Sequence, residues 1–274
     1  METVVRYAAF FEVHTGFIPK ALENFVGGVH DSHPRVQSRS WYLFYRFVKT
    51  LRQHIGEFAQ SVLEAISDIL VIKAELPEDK DDEMSSEDNQ GEDLKFDSQL
   101  YLFEAVGYLS SIKSIAPEKQ ALFVTTVTTP LFRNMEKSLE SAKRGDARAV
   151  LQVHHVIMAL GTLAKGFADG TPGSNVSVSP NDLVSRGFES AEEAILVSLE
   201  CLRNSPKVRD AARHSFSRIL AILGQKALPT FPRWLEGLLV GNSTKEEISA
   251  FLRLLEQVIH RFKVCLEFTP SSGY

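Results

Sequence analysis

The chain has 274 residues, 44% of them hydrophobic and 24% charged, with a formal net charge of −5. This is the composition of a globular protein that is large enough for an extensive core. No apolar run approaches the roughly 20 residues that a membrane-spanning helix needs, and the start METVVRYAAFFEVHTG lacks the pattern of a signal peptide, so we expect no membrane contact.

One segment carries a net negative charge that is larger than that of the whole chain. Residues 75–93, ELPEDKDDEMSSEDNQGED, contain ten acids and one lysine, a net charge of −9. The rest of the chain therefore carries a net charge of about +4, the difference between −5 and −9. Low hydrophobicity and a single sign of charge predict a disordered acidic insertion at 74–95, between paired helices.

Apolar patterns with a period of about 3.6 residues predict helices along almost the whole chain, whereas strand patterns are nearly absent. We expect helices at 2–13, 18–27, 34–52, 54–72, 98–114, 117–143, 146–167, 183–203, 206–224, 227–240 and 244–265. Two starts carry capping signals. Ser205 precedes Pro206, and Ser243 stands three residues before Glu246 as a capping box. The predicted fold class is all-α.

The predicted helices form pairs, and a similar pattern recurs where the second helix of a pair begins. NSPKVRDAARHSF (204–216) and DSHPRVQSRSWYLF (31–44) share a polar turn, a Pro, and Val beside Arg; RGDARAVLQVHH (144–155) is a weaker copy. This pattern resembles the HEAT repeat. Without the insertion and the loop at 168–181, the second helices follow one another at roughly 40–50 residues, the HEAT period.

These repeats predict an α-solenoid of about five helix pairs, with an orphan N-terminal helix at 2–13. Because that helix exposes apolar residues where a solenoid end would be polar, we interpret residues 1–274 as a single segment of a longer array.

Several stretches resemble the central region of the exportin-T family, within the importin-β superfamily. The first is METVVRYAAFFEVHTGFIPKALENFVG, followed by HPRVQSRSWYLFYRFVKTLR. The likeness continues in order through QLYLFEAVGYLSS (99–111), KQALFVTTVTTPL (119–131), PTFPRWLEGLLV (229–240) and FLRLLEQVIHRFKVCLEF (251–268). The resemblance implies a transport receptor that binds mature tRNA together with Ran-GTP and passes the nuclear pore through contacts with pore proteins.

We also expect that the protein has no cofactor, shuttles between nucleus and cytoplasm, and acts as a monomer. No sequence signal indicates an enzyme. No Gly-rich phosphate loop follows a strand, and no Ser or Cys has the surroundings of a nucleophile. His154 and His155 are adjacent and point about 100° apart on a helix, so we expect no metal site.

Residues 33–52 hold five Arg or Lys residues and no acid. On a helical wheel Arg39, Tyr42, Arg46 and Lys49 fall within about 40° of Arg35, opposite an apolar face. In HEAT arrays the second helix of each pair lines the concave surface, so this stripe is expected to face inward. By the same wheel, Lys207, His214 and Arg218 share one wet face, and Arg148, Gln152 and His155 line up between the two groups.

Spaced cations on a rigid surface suit tRNA, which is recognised largely through phosphates, 2′-hydroxyls and A-form shape. The candidate tRNA contacts are Arg35, Arg39, Arg46, Lys49, Arg148, His155, Lys207, His214 and Arg218. The alternative is that these residues form ordinary solvated helix faces. The chain would then be a protein-binding HEAT scaffold without RNA contact.

Importin-β relatives place acidic loops at turns between helices, where the loops touch basic patches of Ran. By that analogy the candidate Ran contacts are Glu78, Asp79, Asp81, Asp82, Glu83, Glu87 and Asp88. The alternative is a solvating insertion that has no partner.

Overall fold

A computed structural model describes residues 1–76, 91–169, 181–241 and 243–266. Every regular element in these ranges is helical, which confirms the all-α prediction. The helices are α1 (Glu2–Arg6), α2 (Ala8–Val13), α3 (Ile18–Val29), α4 (Pro34–Leu51), α5 (Ala59–Ile66), α6 (Gly91–Ser110), α7 (Pro117–Lys143), α8 (Ala147–Asp169), α9 (Asp182–Cys201), α10 (Pro206–Leu223), α11 (Phe231–Leu238) and α12 (Lys245–Leu266). Short 3₁₀ turns lie at Thr15–Phe17, Gly56–Phe58, Ser67–Leu70 and Gly224–Ala227.

From α3 onward the helices alternate between two layers. Layer B consists of α4, α6, α8, α10 and α12, and each of these helices packs against the next one in the series. Layer A consists of α3, α5, α7, α9 and α11, with contacts between α3 and α5, α7 and α9, and α9 and α11. This alternation is the arrangement of helix pairs that the repeat pattern predicts.

One continuous apolar core fills the space between the layers and extends from Ala8 to Val258. Aromatic side chains from both layers meet in it at several points. The ring of Phe25 on α3 lies 4.8 Å from that of Phe47 on α4, and the Phe216 ring on α10 lies 4.7 Å from that of Trp234 on α11. A single long core shared by stacked pairs is typical of a solenoid.

Helix α8 lies at the centre of layer B and approaches both neighbours closely. A Cβ atom added at Gly166 would overlap the backbone carbonyl of Glu104 on α6, and one at Gly161 would overlap Ser215 on α10. The Ser215 hydroxyl also donates a hydrogen bond of 2.9 Å to the Ile157 carbonyl. The absence of side chains at these two glycines therefore permits the observed spacing between α8 and its neighbours.

Residues Ala147–Ala168 of α8 are long and apolar enough to cross a membrane by length and composition alone, which the search for apolar runs did not predict. In this structure 72% of the most apolar stretch of that helix is buried. Because α8 packs against α6, α7 and α10, its hydropathy is that of a core helix enclosed on several sides.

Two predicted helices are interrupted. The helix predicted at 2–13 breaks at Tyr7 into α1 and α2, and both pieces contact α4. The helix predicted at 54–72 keeps α-helical geometry only over α5, with 3₁₀ turns on either side, and the chain continues without helical structure at 71–76.

The acidic insertion is shorter than the predicted range of 74–95. Ala74 is buried, and its backbone N–H donates to the Gln152 side chain at 2.6 Å. At the other end α6 begins at Gly91, which places 91–95 inside a helix. Residues 77–90 lie outside the described residues.

The structure confirms one of the two predicted helix caps and places the other one residue later. The Ser205 hydroxyl accepts a hydrogen bond from the Val208 N–H at 3.4 Å, as predicted. The capping box of α12 is one residue later than predicted: Thr244 Oγ1 accepts from Glu247 N, and Glu247 Oε2 accepts from Thr244 N. The Glu247 carboxylate also accepts two hydrogen bonds of 3.0 Å from the buried Arg209 of α10, so the cap connects the last two helices of layer B.

Substituting Gly166→Ala or Gly161→Ala should lower the free energy of unfolding by about 1–3 kcal/mol, because the methyl group forces α8 away from a neighbouring backbone or side chain. Gly27→Ala is the matched control, since nothing lies within 4 Å of the added Cβ on α3. It should stabilise the chain by about 0.5–1 kcal/mol through helix propensity. Urea denaturation of the three variants measures the difference, and equal effects would contradict the close packing of α8.

Candidate nucleic-acid interface

Four cations project from the exposed side of α4. Helix α4 begins at Pro34, and its opposite side buries Phe44, Phe47 and other apolar residues in the core. We call Arg35, Arg39, Arg46 and Lys49 the α4 basic face; all four are exposed. The sequence therefore predicted correctly which side of this helix is exposed.

Three of these cations lie over tyrosine rings. The Arg39 guanidinium is 5.3 Å from the ring centroid of Tyr42, and that of Arg46 is 5.9 Å from the same centroid. Lys49 Nζ is 5.7 Å from the Tyr45 centroid and 5.3 Å from that of Tyr108. Contacts of this kind attract the cation to the ring face and restrict its motion without neutralising its charge.

The tyrosines belong to both α4 and α6. We call Tyr42, Tyr45, Tyr101 and Tyr108 the tyrosine cluster. Tyr101 lies between the α4 pair, with ring centroids 5.1 Å from Tyr42 and 5.4 Å from Tyr45. Tyr108 is buried, whereas the other three are half-buried. Sequence reasoning missed the contribution of α6, although Tyr101 and Tyr108 are seven residues apart and so share one helix face.

Only one member of the α4 basic face forms an ion pair with a described residue. Arg39 Nη2 lies 2.8 Å from Glu2 Oε1 of α1, and both side chains are more than half exposed. An ion pair this exposed contributes little free energy, and a phosphate group can compete with it. Arg46 and Lys49 donate only to tyrosine hydroxyls, each at 3.4 Å, among the described residues.

The prediction that His155 lies on a wet face is wrong. Its side chain is 5% exposed and stacks on Phe96 of α6, with ring centroids 3.6 Å apart. Burial, followed by the positive charges of His154 and Lys207, lowers the pKa of His155 to about 3. The ring is therefore neutral and covered by α6, and it is unable to contact a phosphate.

Arg148 is exposed, but it lies beside the predicted acidic insertion instead of between the two basic groups. Its Nε donates a hydrogen bond of 2.9 Å to the Ala74 carbonyl. Gln152, predicted to continue the row, is buried and bonded to the backbone of Ile72 and Ala74. Helix α8 therefore does not supply the predicted middle of a basic track.

An ion pair between α6 and α8 occupies part of that middle position. The Glu104 carboxylate is almost fully buried and lies 2.9 Å from Lys165 Nζ of α8. Asp97, two helical turns earlier on α6, is exposed. The Glu104–Lys165 ion pair therefore lies between the α4 basic face and the cations of α10 in the order of layer B.

The second basic group lies on α10. Lys207 is exposed, and Arg218 Nη1 donates to Thr162 Oγ1 of α8 at 3.1 Å. The ring of His214 keeps an exposed edge, but partial desolvation, followed by the charge of Arg218, lowers its pKa to about 4. At neutral pH this group therefore presents two cations and one uncharged imidazole.

Two further predictions concern a metal site and the contacts with Ran. Among the described residues, no group of three or more His, Cys, Asp or Glu side chains could hold a metal ion. The candidate Ran contacts, Glu78, Asp79, Asp81, Asp82, Glu83, Glu87 and Asp88, lie outside the described residues.

The sequence was compared with protein-family models, and the model described as Exportin-T matches residues 1–267. The chain belongs to the exportin-T family. Curated family members named Exportin-T include that of Aspergillus fumigatus, which is 54% identical over 265 residues, and that of Podospora anserina, 52% identical over 266 residues. The protein of the same name from Sclerotinia sclerotiorum is 50% identical over 267 residues.

Each of these exportin-T alignments covers 96% of this chain and 26% of the relative. The chain thus spans about a quarter of the length of the curated relatives that it matches. The match runs through both layers of the solenoid and includes all helices from α1 to α12.

The depressed pKa of His155 predicts an acid-sensitive core. Below its ordinary pKa of 6.5 the unfolded ring binds a proton, but the folded ring does not, so stability falls as the pH drops toward 3. Replacing His155→Phe should remove this loss. The difference in unfolding free energy between variant and parent should shift in favour of the variant by about 2 kcal/mol when the pH is lowered from 7 to 5.

The exposed His260 of α12 provides the control. The His260→Phe variant is measured beside it in urea denaturation, as the same substitution at an exposed position. If the two variants behave alike, the ring of His155 titrates normally and is not buried against Phe96.

Proposed function

We propose that this chain is the central part of a nuclear export receptor that binds tRNA together with Ran-GTP. The receptor passes the nuclear pore through contacts with pore proteins and shuttles between nucleus and cytoplasm. Membership of the exportin-T family supports the transport role. The proposal concerns the whole receptor, of which this chain is about a quarter.

The α4 basic face and the tyrosine cluster support contact with RNA within this segment. Arg side chains bind phosphate oxygens through paired hydrogen bonds, and aromatic rings stack on bases or riboses. Here Arg39 and Arg46 flank the half-buried ring of Tyr42. An exposed surface that alternates fixed cations with aromatic rings suits the phosphate and sugar edge of an RNA helix.

The α10 group supplies a second, weaker point of contact through Lys207 and Arg218. Because α6 and α8 lie between the two groups and α8 does not supply the predicted row of cations, RNA touches the groups as two separate points instead of one continuous track. The competing function is a protein scaffold whose cations bind acidic partners. The salt dependence of binding distinguishes RNA binding from the scaffold function, because counterion release makes the log of RNA affinity fall linearly with the log of salt concentration.

Reversing three charges, Arg39→Glu, Arg46→Glu and Lys49→Glu, in the full-length protein should weaken tRNA binding at least about tenfold. The loss should be similar for different tRNA species, since phosphates carry no sequence. The slope of log affinity against log salt should also decrease by about 2–3, or nearly one for each phosphate contact removed. Fluorescence anisotropy at several salt concentrations measures both quantities.

A triple variant with the same change in charge, Lys113→Glu, Lys119→Glu and Arg253→Glu, is the control, because these exposed residues lie outside both basic groups. Its effect on tRNA affinity should be small. Equal losses in the two variants would show that only net charge matters, and an unaffected α4 variant would exclude this face from the tRNA site.

For the acidic segment we propose contact with Ran. Replacing residues 77–90 by a Gly/Ser linker of equal length, which keeps α6 intact from Gly91, should weaken Ran-GTP binding. A second variant, in which each Asp or Glu of the segment becomes Asn or Gln, tests charge without changing length. Unchanged Ran-GTP affinity in both variants would leave the segment as a solvating insertion.

A further inference from the structure

A groove of about 600 Å³ lies away from both basic groups, between α7, the start of α8 and residues 72 and 73. Four of the described residues that line it are cations: Lys73, Arg133, Lys137 and Arg148. Arg133 and Lys137 are one helical turn apart on α7, and Lys73 and Arg148 belong to the other walls. The positive charges therefore border the groove on more than one side.

These charges lack acidic partners among the described residues. Lys73, Arg133 and Lys137 are exposed and form neither a hydrogen bond nor an ion pair there, and Arg148 donates its Nε only to the Ala74 carbonyl. Arg233 of α11, another layer A cation, bonds by contrast to both Glu193 and Glu200.

The one acid in the described lining is already engaged. Asp146 Oδ1 accepts hydrogen bonds from the backbone N–H groups of Arg148, at 3.0 Å, and Ala149, at 3.1 Å, and so caps α8. Among the described lining residues four cations outnumber this one carboxylate, so the groove carries a net positive charge, which attracts anionic groups.

One wall of the groove is non-helical chain held by amide side chains. Asn134 Nδ2 donates to the Ile72 carbonyl at 3.3 Å, and Gln152 Nε2 donates to the same oxygen at 3.1 Å. Gln152 Oε1 also accepts from the Ala74 N–H. Residues on both sides of Lys73 are thus fixed to α7 and α8, so the position of this lysine is set by the fold.

We propose that this groove binds an extended acidic peptide of a partner protein. In an extended peptide successive side chains point to opposite sides, so alternate carboxylates reach Arg133 and Lys137 on one wall and Lys73 and Arg148 on the others. Carboxylates accept charge-assisted hydrogen bonds from both residue types. Ser141, which also lines the groove, supplies a neutral donor for the peptide backbone, whereas the Ser138 hydroxyl already donates to the Asn134 carbonyl at 3.0 Å.

The shape of the groove favours a peptide over an RNA helix. A volume of about 600 Å³ holds a few residues of extended chain, whereas a double-stranded RNA presents its phosphates across a broad surface. The groove borders α7 of layer A, while the α4 basic face belongs to layer B. The groove is also lined by the start of α8 in layer B, but it shares no lining residue with the α4 basic face or the tyrosine cluster.

The chain itself contains an acidic segment that is an alternative occupant of the groove. Residues 77–90 include seven acids and one lysine, and they follow Leu76, close in sequence to the wall at Ile72 and Lys73. The experiment must therefore separate a partner peptide from this segment of the same chain.

The test measures binding of a fluorescent 12-residue peptide that alternates Asp and Gly to the full chain, by anisotropy. We expect saturable binding, and at least a tenfold weaker affinity for the Arg133→Glu, Lys137→Glu variant, because like charges then face the carboxylates. The neutralised variant Arg133→Gln, Lys137→Gln should show a smaller loss in the same direction. It also provides a readout if the charge reversal disturbs folding.

Two controls complete the design. The Lys113→Glu, Arg253→Glu variant has the same change in charge outside the groove and should bind the peptide like the parent. A matched peptide with Asn in place of Asp should not bind. Equal binding of the Asn peptide, or equal losses in the two charge-reversed variants, would overturn the proposal.

Two further measurements distinguish a partner peptide from the other candidate occupants of the groove, which are the acidic segment of this chain and tRNA. If the Asp peptide binds only after residues 77–90 are replaced by a Gly/Ser linker, the groove is occupied by the segment of the same chain, and a partner peptide is ruled out. If the Arg133→Glu, Lys137→Glu variant loses more affinity for tRNA than for the peptide, the groove is a nucleic-acid site, which also overturns the proposal.

Discussion

The close contact of α8 with both of its neighbours in layer B is the constraint on which the rest of this structure depends. Gly166 allows the backbone of α8 to approach that of α6, and Gly161 allows it to approach Ser215 of α10. Backbones that pack this closely leave little freedom in the spacing of the helices. The contact therefore determines which side chains of α6, α8 and α10 reach the surface.

The burial of α8 on several sides explains where its polar residues lie. His155 stacks on Phe96, Gln152 bonds to the chain at Ile72 and Ala74, and Arg148 extends toward the groove beside α7. Helix α4 is different: it packs against α1, α2, α3 and α6, and one side of it is left uncovered by the helices that the structure describes. Its charged side consequently stays exposed, and the tyrosine cluster shared with α6 positions the cations.

Local pattern was sufficient to predict much of the fold. The apolar period revealed the pairs, the recurrent turn with Val and Arg revealed the repeat, and Ser205 was recognised as a cap. The wrong predictions concern residues whose surroundings depend on contact with a third helix. A helical wheel assumes one buried side, so it misplaced His155 on a helix that is buried on several. Likewise, the capping box of α12 is at Thr244 and Glu247 because Glu247 also bonds to Arg209 of α10, a contact that is distant in sequence.

The most direct test of this account is hydroxyl-radical footprinting of the full-length protein, with and without tRNA in the presence of Ran-GTP. Oxidation of the half-buried Tyr42, Tyr45 and Tyr101 should decrease when tRNA binds. Oxidation of Phe132, a half-buried residue of α7 in layer A, should not change. Protection that spares the three tyrosines while tRNA is bound would contradict the assignment of the α4 surface as a tRNA contact.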